Sequence, residues 1–141
     1  MIKELVKDDS VLSTPCRPAT AEDAAIAQDL LDTLASIEDA ACLAANQIGE
    51  SVCLCAYIDK ADKPHILYNP KIMLGLSAFK TEEGCLTRPE DAIAKVTRYE
   101  RIKLAYDELV DGTLKPRKRD LMGWEAQMVQ HMVDHCKGKL I

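Results

Sequence analysis

Apolar residues recur at helical spacing in two stretches, one near each end of the chain, and run together or alternate in the eighty residues between them. Ala27, Leu30, Leu31, Leu34 and Ile37 mark one face of a helix over residues 20–38, with Thr20 placed to cap it and Asp23 three residues on. That face needs a partner, and a sheet is expected because the middle of the chain reads mainly as strands. Residues 52–58 are an apolar strand ending in the polar turn 59–64. Residues 66–74 resume with a bend at Asn69-Pro70, Gly75 begins a turn, and 78–86 form a further strand that carries Cys85. Residues 88–94 read as a loop, 96–109 include a strand alternating at Ile102, Leu104 and Tyr106, and Asp111-Gly112 predicts a hairpin that returns antiparallel over 113–121. Gly123 opens a last helix, on which Trp124, Met128, His131 and His135 share a face, and Gly138 closes it.

Two stretches fit neither pattern. Residues 1–19 form an arm whose end, Ser13 to Pro18, holds two prolines that forbid regular helix. Residues 40–49 are mostly small, which lets the backbone pass close to something bulky, and the plain expectation is a tight crossing between helix and sheet. The length of 141 residues fits one domain, 1–141, with no repeat or linker.

Composition narrows the function classes. A formal net charge of −5 argues against a nucleic-acid surface, which needs clustered positive charge. The one basic run, Lys115 to Arg119, reads as the solvated face of a strand, and His65, alone beside Pro64, as a surface residue. Charges interrupt the N-terminus where a signal peptide needs an apolar core, and no apolar run approaches membrane-spanning length, so a cytoplasmic protein is expected. The cysteines at 16, 42, 53, 55, 85 and 136 show no paired spacing and read mostly as small core residues in a reducing compartment.

One of them has a further use. His131 and His135 lie four apart, so on a helix both imidazoles reach one metal ion, and Cys85 offers a thiolate as third ligand, leaving one position open. Such a set suits Zn²⁺ or Fe²⁺. In the H-E-x-x-H arrangement a glutamate comes directly after the first histidine and moves the protons. Here that position is Met132, whose thioether holds no proton at neutral pH.

Three separated motifs, Ala44-Ala45-Asn46-Gln47-Ile48-Gly49, Glu83-Gly84-Cys85-Leu86 and Gln130-His131-x-x-Asp134-His135, resemble those of the peptide deformylases, in the same order. Tyr68-Asn69-Pro70 and Val96-Thr97-Arg98 resemble shorter signatures of that family. The resemblance implies an α+β fold with antiparallel sheets around a central metal-bearing helix and an N-terminal helix. It implies one Fe²⁺ or Zn²⁺ on Cys85, His131 and His135, and N-formyl-methionyl peptides or nascent chains as substrates. It further implies that Gln47 and the Leu86 backbone N–H stabilise the oxyanion, and that the methionine pocket lies near Ala41, Cys42, Trp124 and Met128. Glu83 with Arg98 resembles the family's structural ion pair, and the family's aspartate at position 134 argues for a structural role there.

The departures gather at the chemistry. Met132 replaces the family's glutamate, and Ala40 and Cys42 replace two glycines, so a side chain at Cys42 narrows the cleft. Met132 and Asp134 each lie about 80° from the metal direction, on opposite sides, which makes Asp134 the nearest acid on the helix and leaves open whether it or a partner replaces the base; Glu125 lies about 9 Å back along the helix, and strand alternation points Glu83 away. Two readings result: a deformylase-family hydrolase of impaired activity, or a protein that keeps metal and peptide binding without turnover. A generic zinc peptidase fits less well, because its third ligand comes from downstream and six residues remain after His135.

Overall fold

Five antiparallel strands make one sheet in the order β1-β2-β3-β4-β5: β1 (Cys42–Ala44), β2 (Leu54–Ile58), β3 (Pro64–Glu83), β4 (Ala94–Val110) and β5 (Thr113–Met122). The computed structural model describes residues 1–89 and 92–141, so the expected loop over 88–94 falls partly outside the described residues. Three helices accompany the sheet: α1 (Asp9–Leu12), α2 (Ala24–Ser36) and α3 (Gly123–Cys136). The fold is α+β as the motifs imply, with a single meandering sheet rather than several.

The alternation along β2 shows how the layers stack. Cys55 and Tyr57 pack with Met128, Val129, Met132 and Val133 of α3, whereas Leu54 and Ala56 pack with Ala27, Leu30 and Leu34 of α2. Burial on both faces explains why this strand is apolar throughout instead of alternating. The helix near the N-terminus starts with a 3-10 turn, Ala21–Asp23, and Thr20 and Asp23 form the full capping box. Its continuation α2 ends two residues before the expected limit.

The sequence reading is corrected at Gly75. No turn occurs there, and β3 runs unbroken for 20 residues. A Cβ on Gly75 would lie 2.4 Å from Cγ of Tyr99 on β4, so the glycine admits an aromatic ring from the neighbouring strand. The strand bearing Cys85 also ends early, at Glu83. His65 is not a plain surface residue: its Nε2 lies 2.7 Å from Asp59 Oδ2 and its ring stacks on Tyr57 at 4.9 Å. In the basic run, Arg119 turns inward and donates to the Tyr57 hydroxyl at 2.8 Å.

The small-residue stretch divides into β1 and a 3-10 turn, Ala45–Ile48, with Gly49 in the left-handed region at φ 92°. At Asp111 and Gly112 both φ values are positive, 49° and 78°, as a two-residue antiparallel hairpin requires. Among the described residues no helix is long and apolar enough to cross a membrane.

Gly138 ends α3 at φ +75°, and a Cβ there would sit 2.7 Å from the Ser13 carbonyl oxygen and 2.8 Å from Pro15 N. The N-terminal arm therefore crosses the end of α3 where only glycine leaves room, and Cys16 N–H donates to the Cys136 carbonyl at 3.1 Å. Gly138→Ala is expected to destabilise the protein by about 2–4 kcal/mol, from left-handed strain plus backbone overlap. A urea unfolding curve checks this; an unchanged midpoint would show that the arm moves aside at no cost.

Candidate metal centre

Helix α3 positions two of the three donors. Its apolar positions, Met128, Val129, Met132 and Val133, bury it against the sheet and fix its rotation. The third donor comes from the segment after β3, where Arg88 N–H donates to the Cys85 carbonyl at 3.1 Å and closes a turn with Leu86 and Thr87 at its centre. The turn brings the Cys85 Sγ to 3.4 Å from His135 Nε2, and His131 Nε2 lies 3.1 Å from His135 Nε2. The three donor atoms all fall within 4.8 Å of one another.

These separations test whether a cation fits. Tetrahedral coordination with about 2.05 Å to nitrogen and 2.3 Å to sulfur sets N···N near 3.3 Å and S···N near 3.6 Å. The two separations from His135 agree within about 0.2 Å, the third pair lies within 4.8 Å, and a soft thiolate beside two imidazoles is a donor set for zinc or ferrous iron. Burial raises the Cys85 thiol's pKa, but hydrogen bonds from His131, His135 and Thr87 outweigh it and bring the thiol down to about 5, so the thiolate form that a metal needs prevails at neutral pH.

A buried polar shell orients the ligands. His131 Nδ1 lies 2.9 Å from Glu83 Oε1, so the ring's other nitrogen faces the centre. Glu83 in turn accepts from Arg98 Nη2 at 2.6 Å and from Gln127 at 2.8 Å, and Arg98 Nη1 donates to Asp134 at 2.7 Å. The expected Glu83–Arg98 pair is present, but the inference that Glu83 points away from the site is not. Arg98 lies buried beneath α3, so pointing at Arg98 is pointing toward the helix.

Behind His135, Asn46 Nδ2 donates to its carbonyl at 3.0 Å. Gln47 is locked by accepting from Ala44 N–H at 2.9 Å, and its Nε2 lies 3.3 Å from both Cys85 Sγ and Thr87 Oγ1. Leu86 N–H makes no hydrogen bond with a described residue and lies in the same turn as Cys85. The sequence assigns no role to Thr87, nor to Asn46 beyond its place in the first motif. The hydroxyl two residues after Cys85 is the one local signal that points to Thr87.

A cleft of about 290 Å³ opens on the centre. Ala41, Cys42, Leu86, Trp124, Met128 and Met132 line it, and it reaches Gln47, Cys85 and His131. Met132 is 1% exposed, so its side chain lies in the cleft wall and core rather than in solvent. Cys42 lines the cleft but does not join the three convergent donors. Glu125 faces elsewhere, accepting from Lys60 N–H at 3.2 Å.

An antiparallel sheet packed on a helix that offers two buried histidines, with a half-buried cysteine from a tight turn completing a three-donor set at a cleft, defines a protein with the architecture of a metal-dependent hydrolase. Residues 2–141 match the polypeptide deformylase family, and the chain belongs to it. It is 35% identical over 143 residues to a peptide deformylase of Clostridium beijerinckii, covering all of both chains. The crystal structure of peptide deformylase from Thermus thermophilus superposes with a TM-score of 0.83 at 29% identity, covering 99% of this chain and 83% of that one. That from Thermotoga maritima gives 0.84 at 28%, covering 99% and 95%.

Proposed function

We propose that this chain is a metal-dependent hydrolase that removes the formyl group from N-formyl-methionyl peptides, at a rate reduced by Met132, in the cytoplasm where nascent chains carry that group. The observation that carries the reading is the convergence of Cys85, His131 and His135 at the cleft. Those three residues would hold one Fe²⁺ or Zn²⁺, which supplies Lewis-acid activation of water and of the formyl carbonyl. The apolar wall of Trp124, Met128 and Ala41 takes the methionine side chain, and Cys42 narrows the approach. Gln47 Nε2 lies 3.3 Å from Cys85 Sγ and Leu86 N–H belongs to the turn that follows Cys85, and these two donors would stabilise the negative charge that develops on the carbonyl oxygen. Glu83 and Gln127 hold His131 in place without entering the reaction.

The test takes two measurements on the native chain: metal content after purification, and formate release from formyl-Met-Ala-Ser by the metal-loaded protein. About one metal per chain and slow formate release are expected. Metal and peptide binding without any formate release would favour the binding-only reading, to which the loss of the glutamate at position 132 also points.

A further inference from the structure

The contacts around Thr87 carry one further step, which rests on the reading of Cys85 as a metal ligand. Thr87 is 1% exposed, and its hydroxyl lies 3.4 Å from Cys85 Sγ and 3.3 Å from Gln47 Nε2. The directions of these hydrogen bonds are set by the chemistry. A ligand thiolate has no proton to give, so in the contact with Cys85 the Thr87 O–H is the donor. Its oxygen is then left to accept from Gln47 Nε2–H.

The orientation of Gln47 is settled independently. Its Oε1 accepts from Ala44 N–H at 2.9 Å, and exchanging the amide's two ends would set an oxygen against the thiolate and an N–H against an N–H. The result is a one-way chain from Gln47 N–H to the Thr87 hydroxyl to the Cys85 sulfur. We propose that Thr87 is a positioning residue of the metal centre, one hydroxyl that both withdraws charge from the ligand thiolate and fixes the Gln47 amide beside the same sulfur. Hydrogen bonds to a ligand sulfur weaken its donation to the metal, and outer partners of this kind change metal affinity or activity by about 10–100-fold. The turn closed by the Arg88 N–H holds Thr87 in place, so the hydroxyl's position is set by backbone as well as by its two partners.

The test uses the full chain loaded with Co²⁺, whose thiolate-to-metal charge-transfer band reads the electron density on sulfur directly. Thr87→Val, which keeps the shape and removes the hydroxyl, is expected to move that band to lower energy, because a sulfur freed of the hydrogen bond donates more charge to the metal. Thr87→Ser, which keeps the hydroxyl, is expected to restore the native band. A band unmoved in Thr87→Val, or a Thr87→Ser protein that matches Thr87→Val while melting like the native chain, overturns the proposal. A native chain that takes up no Co²⁺ overturns the metal centre itself and this proposal with it. The two failures are therefore told apart by the native protein alone.

Discussion

Replacing Met132 by glutamate is expected to raise formate release from formyl-Met-Ala-Ser by about 10²- to 10⁴-fold at saturating substrate, the usual worth of a positioned acid–base group. The reaction needs a proton taken from the attacking water and another delivered to the leaving amine, and Met132, next to His131 in the cleft wall, does neither. Among the described residues, the carboxylates that touch the ligands' supporting shell are already committed: Glu83 binds Arg98, Gln127 and His131, and Asp134 binds Arg98. Both are held as hydrogen-bond acceptors, which suits support of the ligands and not proton transfer.

A glutamate at 132 enters a nearly dry position among Val129, Val133 and Met128, so burial raises its pKa toward the range useful for shuttling and costs some stability. The comparison is made on metal-loaded proteins of equal metal content whose circular dichroism shows both folded. If the native chain already turns over as fast as Met132→Glu, the role assigned to position 132 is wrong and another group supplies the proton.

How much of the fold and site is legible in the sequence depends on the range of each interaction. The spacing of His131 and His135 and the two positive-φ residues of the Asp111-Gly112 hairpin are local, and both are found as expected. Gly75 misleads because its reason is Tyr99, twenty-four residues on and adjacent only once β3 and β4 pair. Continuing the strand alternation past Glu83 places Cys85 on a strand, but Gly84 ends the pairing, and parity does not survive a turn. The error over Glu83 has the same root. Its partner Arg98 is identifiable from the motifs, but the location of Arg98 depends on where α3 crosses the sheet, which no local pattern encodes. The ligand set is therefore legible from residue chemistry, while its supporting shell of Glu83, Arg98, Asn46 and Thr87 needs the tertiary fold.

Removing that shell's one cation is expected to be the most destabilising single change in the centre. Arg98 is only 4% exposed and neutralises two carboxylates at once, with Nε 3.1 Å from both oxygens of Glu83 and Nη1 2.7 Å from Asp134. Arg98→Met keeps much of the apolar stem and leaves both acids facing an uncharged neighbour. Breaking a buried pair in this way costs about 3–5 kcal/mol. The lower end is expected, because Asp134 retains 14% exposure and has Lys139 Nζ at 3.8 Å. Arg98→Lys restores charge without the fork that grips Glu83 and is expected to recover only part of the loss.

The pH dependence adds a second signature. Burial pushes the Glu83 carboxyl up, but hydrogen bonds from His131, Arg98 and Gln127 prevail and lower it from 4.5 to about 2. Its stabilising contribution is then complete above about 4.5 and is lost as the pH falls toward about 2. Without Arg98 the carboxyl titrates higher, so acid unfolding of Arg98→Met begins at higher pH than in the native chain. Urea midpoints at neutral pH and acid unfolding curves for the native chain and both variants check this. Native-like midpoints in Arg98→Met would mean that Gln127 and His131 alone satisfy Glu83, and that the guanidinium under α3 stabilises nothing.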